Sequence, residues 1–161
     1  MTTMTLVRQR SIGLMQKTLD TLTNILQKVD DHTAVTLRDP NDGDKGWTTL
    51  EVLCHLRDFD EFFHGRVLMM RDQEHPQLPA YDHESLAIER HYNEQNPAQV
   101  LADLQQKRAR FVALFQSLTD EQWERTGVHP ERDSFDMTDA VMQVGHHDAI
   151  HIEQITRILA Q

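Results

Sequence analysis

The chain has 161 residues, a formal net charge of −10 at pH 7 and 39% hydrophobic residues. This length is typical of one domain, and we expect residues 1–161 to form it. Because the acidic surface would repel phosphate groups, we expect no sequence-independent binding to nucleic acid. No apolar run approaches the roughly 18 residues that a membrane span requires, so no membrane association is expected.

The remaining composition favours helices and a reducing compartment. Glycine and proline are scarce, with six and five residues, and the apolar content comes mainly from Leu, Val, Ile, Ala and Met. The single cysteine, Cys54, excludes an internal disulfide. The first ten residues contain no uninterrupted apolar stretch and do not resemble a secretory signal. We therefore expect a cytoplasmic, helical protein.

The first half of the chain predicts two long helices separated by a loop. Apolar residues recur every three to four positions from Leu6 to about Val29, which is typical of an amphipathic helix. A loop follows, because residues 39–46 are the densest cluster of turn-forming residues. The second helix is predicted from Thr48 to Arg71. It begins with a capping box, in which Thr48 and Glu51 satisfy each other's backbone N–H groups.

The second half predicts two further long helices. Residues 72–96 contain two prolines and many polar residues, so we expect a crossover loop with one helical turn near 84–90. Asn96-Pro97, as N-cap and first helical residue, starts a third helix that ends near Leu118. After a short helical turn and a loop, the fourth helix runs from about Asp136 almost to the last residue. The predicted fold class is therefore all-α, a four-helix bundle with long crossover loops.

Three of the ten histidines fall on predicted core faces. His147 and His151 are spaced i, i+4 on the fourth helix, which places their Cβ atoms about 6 Å apart on one face. His55 lies in the apolar stripe of the second helix, whereas His64 would project to the opposite side. A shared divalent metal ion would satisfy three imidazoles whose burial would otherwise be costly. A metal-free, hydrogen-bonded histidine cluster is the alternative interpretation.

Two segments around these histidines resemble motifs of the DinB-like family of four-helix-bundle metalloproteins. Residues 147–155, HDAIHIEQI, are similar to the H-D-x-x-H-x-x-Q-I ending of that family, and residues 47–56, WTTLEVLCHL, resemble its first metal motif. The resemblance extends over nearly the whole chain, with one departure at residues 131–133, where many members have a glycine. It implies a DinB-like bundle in which His55, His147 and His151 are the metal ligands.

The resemblance also implies an activity. Relatives in the family include metal-dependent transferases that use low-molecular-weight thiols, thiol-dependent isomerases and proteins treated as metal-dependent hydrolases. Three imidazoles leave coordination positions open for water or a small-molecule substrate, as is typical of a catalytic site. Imidazole ligation suits Zn²⁺, Ni²⁺, Fe²⁺ or Cu²⁺ without distinguishing among them. The alternative is a non-catalytic metal-binding or stress-associated bundle that acts through association. Members of the family often dimerise through faces of the bundle, so the resemblance implies a homodimer.

Five further residues are candidates for supporting roles. Asp148 and Gln154 are close enough in sequence to support the ligands, although a solvated helix residue is the favoured interpretation of Asp148. Cys54 is interpreted as a small buried residue rather than a nucleophile. We expect Arg66 to pair with a helix carboxylate rather than to contact an anionic substrate. The resemblance places His129 near the mouth of the metal site, and a plain exposed histidine is the alternative.

Overall fold

Four long helices, three short ones and one small sheet make up the computed structural model, which describes residues 1–161. The long helices are α1 (Thr3–Leu26), α3 (Thr49–Asp72), α5 (Pro97–Ser117) and α7 (Met137–Leu159). The short helices are α2 (Asp31–Thr36), α4 (His83–Glu89) and α6 (Asp120–Trp123). Strands β1 (Thr126–Gly127) and β2 (Phe135–Asp136) pair in antiparallel orientation, and single 3₁₀ turns lie at Gly43–Lys45 and Tyr92–Glu94.

The long helices form a four-helix bundle, which confirms the predicted fold class. Helix α1 packs against α5 and α7, and α3 packs against the same two helices, so α1 and α3 lie diagonally opposite. The connection from α1 to α3 and the one from α5 to α7 therefore both cross the bundle. The segment between α3 and α5, which was predicted as a crossover loop, instead joins two helices that pack against each other. No helix combines the length and apolar character that crossing a membrane requires.

The helix boundaries follow from local capping. Thr48 accepts a hydrogen bond from the Glu51 backbone N–H, and the Glu51 carboxylate accepts one from the Thr48 backbone N–H, so the predicted capping box is confirmed. The first helix ends at Leu26, three residues before the predicted end. Helix α2, which was predicted as loop, is capped by Asp30, whose side chain accepts a hydrogen bond from the Thr33 backbone N–H.

Two apolar clusters fill the bundle, and a polar layer separates them. Each long helix contributes residues to both clusters, for example Met15 and Leu22 from α1. Between these contributions each long helix places buried polar side chains, and four of them contact one another: Thr18, Asp60, Arg108 and Asp148. The arginine and the threonine donate hydrogen bonds to the two carboxylates. The interior therefore contains a charged layer at the level where α7 also carries the paired histidines.

Candidate metal centre

The three histidines selected from the sequence meet at one point inside the bundle. His55 on α3 and His147 and His151 on α7 each present a ring nitrogen, and these nitrogens all lie within 4.8 Å of one another. The Nε2 atoms of His55 and His147 are 2.9 Å apart. His64 does not join them, since it stacks on Phe111, on another face of α3. The three candidate ligands come from helices that pack directly against each other.

Burial keeps these imidazoles neutral. Desolvation lowers the pKa of His55 and His147 well below the ordinary histidine value, and the neighbouring histidines lower both further. Desolvation also lowers the pKa of His151. Neutral imidazole is the form that binds metal ions, because it keeps a nitrogen lone pair.

The donor set suits a divalent cation. Two neutral Nε2 atoms that face each other at 2.9 Å repel unless a proton or a cation lies between them. The other nitrogen of His55, Nδ1, is buried and has no hydrogen-bond partner. Three convergent nitrogens with no carboxylate or thiolate among them form an imidazole-only site.

Gln154 contacts His151 and is itself bound to the ion pair of Asp39 with Arg157, two residues that were not predicted from the sequence. The Nδ1 atom of His151 lies 2.8 Å from Oε1 of Gln154, whose Nε2 donates to Oδ2 of Asp39 at 2.9 Å. Arg157 binds both carboxylate oxygens of Asp39, at 3.0 and 2.8 Å. Hydrogen bonds from Arg157 hold the pKa of Asp39 down at about 2. Asp39 lies in an irregular loop, where no periodic pattern indicates its partners.

The interpretation of Asp148 as a solvated residue was wrong. Asp148 is 3% exposed, and its carboxylate accepts two hydrogen bonds from Arg108, at 2.7 and 3.0 Å, and one from Thr18. Arg108 also donates to Asp60 at 2.9 Å. The sequence did indicate that Arg108 is buried, because it follows Leu104 by four residues and precedes Phe111 by three within the apolar stripe of α5. It did not indicate that Asp148 is the partner of Arg108.

A cavity of about 560 Å³ reaches the three histidines. Besides those histidines it is lined by Asp42, Lys45, Trp47, Phe59, His83, Glu84 and Gln154. The rings of Trp47 and Phe59 flank His55, with centroid separations of 5.2 and 4.3 Å. Charged residues from the loop before α3 and from α4 complete the lining. His83, at the first position of α4, was not recognised in the sequence because a short helix carries no periodic pattern.

The other candidates lie outside this cavity. Cys54 is fully buried and burial raises the pKa of its thiol to about 12, which confirms a packing role rather than a nucleophilic one. The expected pairing of Arg66 with a carboxylate was wrong: its guanidinium donates to the Pro79 carbonyl and contacts Nε2 of His129 at 3.2 Å. His129 is itself buried, so the alternative of a plain exposed histidine was wrong, and it is not among the residues that line the cavity.

The fold and the site together define a helical-bundle protein with three convergent imidazoles that could hold a metal ion. Comparison with known families places the chain in one of them. The model of the DinB superfamily matches residues 14–155, so the chain belongs to that superfamily.

Among its relatives is YfiT from Bacillus subtilis (strain 168). The two sequences are 28% identical over 118 residues, a region that spans 71% of this chain and 66% of YfiT, slightly under two thirds. The solved structure of YfiT, described as a probable metal-dependent hydrolase with an unusual four-helix bundle topology, superposes with a TM-score of 0.85. That superposition covers 95% of this chain and 86% of YfiT at 24% identity.

A second solved structure shares the fold. The mycothiol-dependent maleylpyruvate isomerase superposes with a TM-score of 0.75, over 99% of this chain and 71% of the isomerase. The sequence identity is 15%, so this likeness concerns the fold alone.

Proposed function

We propose that the protein is a metal-dependent enzyme that activates water or a low-molecular-weight thiol for attack on a small electrophilic substrate. The observation that carries the proposal is the cavity that reaches all three imidazoles. A structural metal site is closed by a fourth protein ligand, whereas a catalytic site keeps a position open. No fourth histidine, cysteine, aspartate or glutamate belongs to this cluster, which supports the catalytic alternative.

His55, His147 and His151 would hold the ion, which we propose to be Zn²⁺, Ni²⁺ or Fe²⁺. When bound, such an ion supplies Lewis acidity, which lowers the pKa of a water molecule or a thiol. The protein contributes a rigid frame, because all three ligands project from long packed helices. Trp47 and Phe59 shield one side of His55 from solvent.

The relatives support both forms of the proposal. YfiT is described as a probable metal-dependent hydrolase, which favours water as the nucleophile. The maleylpyruvate isomerase is described as mycothiol-dependent, which favours a thiol as the partner. The cavity has the size of a small-molecule site, since such sites occupy about 300–1,000 Å³.

Turnover by metal-loaded protein on panels of hydrolase substrates and thiol-conjugation substrates tests the proposal. Wild type is expected to turn over at least one substrate class, and His151→Ala is expected to lose that activity. His146→Ala is the matched control, because His146 is an exposed histidine on the same helix and does not line the cavity. Equal turnover by wild type and His151→Ala on every substrate would contradict the proposal.

We also propose that the chain forms one domain, that it acts in the cytoplasm and that it pairs as a homodimer. Contributions of every long helix to both apolar clusters support a single domain. An apolar surface supports the homodimer: Met142 and Ile150 of α7 are about half exposed. Leu14 of α1, which contacts α7 at Gly145, is 46% exposed. Light scattering after gel filtration would give twice the chain mass, and Ile150→Glu with Met142→Glu would return the chain mass.

A further inference from the structure

A chain of hydrogen bonds connects the proposed ligand His151 to a carboxylate in a distant loop. It runs from Nδ1 of His151 to Oε1 of Gln154 at 2.8 Å, and from Nε2 of Gln154 to Oδ2 of Asp39 at 2.9 Å. Asp39 lies 112 positions before His151 in the sequence. The hydrogen bond between Gln154 and Asp39 therefore depends on the tertiary fold and not on the local geometry of α7.

The polarity of this chain is fixed from its Asp39 end. An ionised carboxylate only accepts hydrogen bonds, so Gln154 must turn its NH₂ group towards Asp39. The carbonyl oxygen of Gln154 then faces His151 and also only accepts, so the proton of neutral His151 must be on Nδ1. With the opposite orientation of the Gln154 amide, its carbonyl oxygen would face the carboxylate at 2.9 Å, which is repulsive.

The Asp39 carboxylate is held in a fixed position, which allows it to set the direction of the hydrogen bonds through Gln154. It is 1% exposed, Arg157 binds both of its carboxylate oxygens, and the Asn41 backbone N–H donates to Oδ1 at 3.1 Å. Its own backbone N–H donates to the Trp47 carbonyl at 2.9 Å. The carboxylate thus has a fixed position and is paired with a permanently charged guanidinium.

We propose that Asp39 is a positioning residue that, through Gln154, fixes the proton of His151 on Nδ1 and leaves the lone pair of Nε2 for the metal ion. The proposal rests on the proposed function, since it assigns a role towards that ion. Which imidazole nitrogen carries the proton is set by the hydrogen bond that the other nitrogen makes. Without this chain the proton can move to Nε2, where it blocks the lone pair that a ligand must present.

The tautomer of His151 in metal-free, full-length protein is the direct test, measured by long-range ¹H–¹⁵N correlation NMR above the pKa of the imidazole. Wild type is expected to show a protonated Nδ1. In Asp39→Asn and in Gln154→Leu, Nδ1 of His151 is expected to shift towards the unprotonated range. A protonated Nδ1 in Gln154→Leu, identical to wild type, would overturn the proposal whatever the stability of the variants.

Two further variants separate positioning from a general loss of structure. Asp58→Asn removes another buried carboxylate paired with arginines, Arg57 and Arg90, and is expected to lower thermal stability without changing the His151 tautomer. Gln154→Glu added to Asp39→Asn places an acceptor next to His151 and a donor at residue 39, so it is expected to restore the protonated Nδ1. A tautomer shift in Asp58→Asn, or no recovery in the double variant, would count against the proposal.

Metal affinity provides the second readout. Titration with Zn²⁺ is expected to show about tenfold weaker binding in Asp39→Asn than in wild type, with recovery in the double variant. Equal affinity in the two proteins would contradict the positioning role. Absence of Zn²⁺ binding by wild type would instead contradict the proposed function, while the tautomer measurement would still test the polarity of the hydrogen-bond chain.

Discussion

The buried ion pair between Asp148 and Arg108 is expected to contribute strongly to the stability of the fold. Both side chains are nearly inaccessible, and Arg108 also contacts Asp60, whose pKa burial raises to about 6. Removing a carboxylate from such a group leaves a buried guanidinium incompletely compensated. We therefore predict that Asp148→Ala lowers the free energy of unfolding by about 3–5 kcal/mol, measured by urea denaturation.

Asp72→Ala is the control for this prediction. Asp72 is 56% exposed in its side chain and pairs with its neighbour Arg71 at the end of α3. Substitutions at such surface pairs usually change stability by less than about 1 kcal/mol. Similar losses in the two variants would show that the buried position of Asp148 does not carry the stability that we assign to it.

Individual site residues could be predicted from the sequence only where a helical spacing of apolar residues shows which face of a helix is buried. His55, His147 and His151 could be selected because each lies on the apolar face of a long helix. The partners of Asp148 could not be predicted, because Arg108 and Thr18 approach it only after three helices have packed. Asp39 lies in a loop, where neither helical nor strand periodicity applies.

At the scale of elements, alanine substitutions at two glycines are expected to change the free energy of unfolding in opposite directions. A Cβ on Gly65, inside α3, would have no heavy atom within 4 Å beyond the adjacent residues and the nearby helix backbone, whereas a Cβ on Gly46 would lie 2.3 Å from the carbonyl oxygen of Asp39. Gly65→Ala should therefore raise the free energy of unfolding by about 0.5–1 kcal/mol, since alanine favours helix. Gly46→Ala should lower it by about 1–3 kcal/mol, because the loop must move.

Thermal unfolding of the two alanine variants, followed by circular dichroism, checks these predictions. A higher midpoint for the Gly65 variant and a lower one for the Gly46 variant are expected. A Gly46 variant as stable as wild type would mean that the loop between Asp39 and Trp47 tolerates displacement. The wall that this loop gives the cavity would then be less fixed than the contacts indicate.

The elements themselves were predictable in proportion to their length. All four long helices were recognised from the spacing of apolar residues and from their caps, including the N-cap Asn96 and the capping box at Thr48. Helix α2, with six residues, and the two-residue strands are too short to show any periodicity. The strands pair only because the loop between α6 and α7 folds back on itself.

At the scale of the whole molecule, the ion pair between Asp39 and Arg157 makes the stability of the fold depend on pH. The folded-state pKa of Asp39, about 2, lies below the ordinary value of 3.8. The carboxylate therefore stabilises the fold above about pH 4, and this contribution is lost as pH falls towards 2. We predict that the stability difference between wild type and Asp39→Asn shrinks by about 2 kcal/mol between about pH 6 and about pH 2.

Urea denaturation of both proteins across this pH range provides the measurement. Because the comparison is a difference between two proteins, acid effects of the remaining carboxylates largely cancel. A difference that stays constant from neutral to acidic pH would contradict the assignment of Arg157 as the group that lowers the pKa of Asp39.

Elemental analysis of untagged protein, purified without chelator, tests the central claim most directly. If His55, His147 and His151 hold one ion, wild type should contain about one divalent transition metal ion per chain. His55→Ala should lose most of it, whereas His64→Ala, on another face of the same helix, should retain it. Metal-free wild type, or equal metal content in wild type and His55→Ala, would contradict the account.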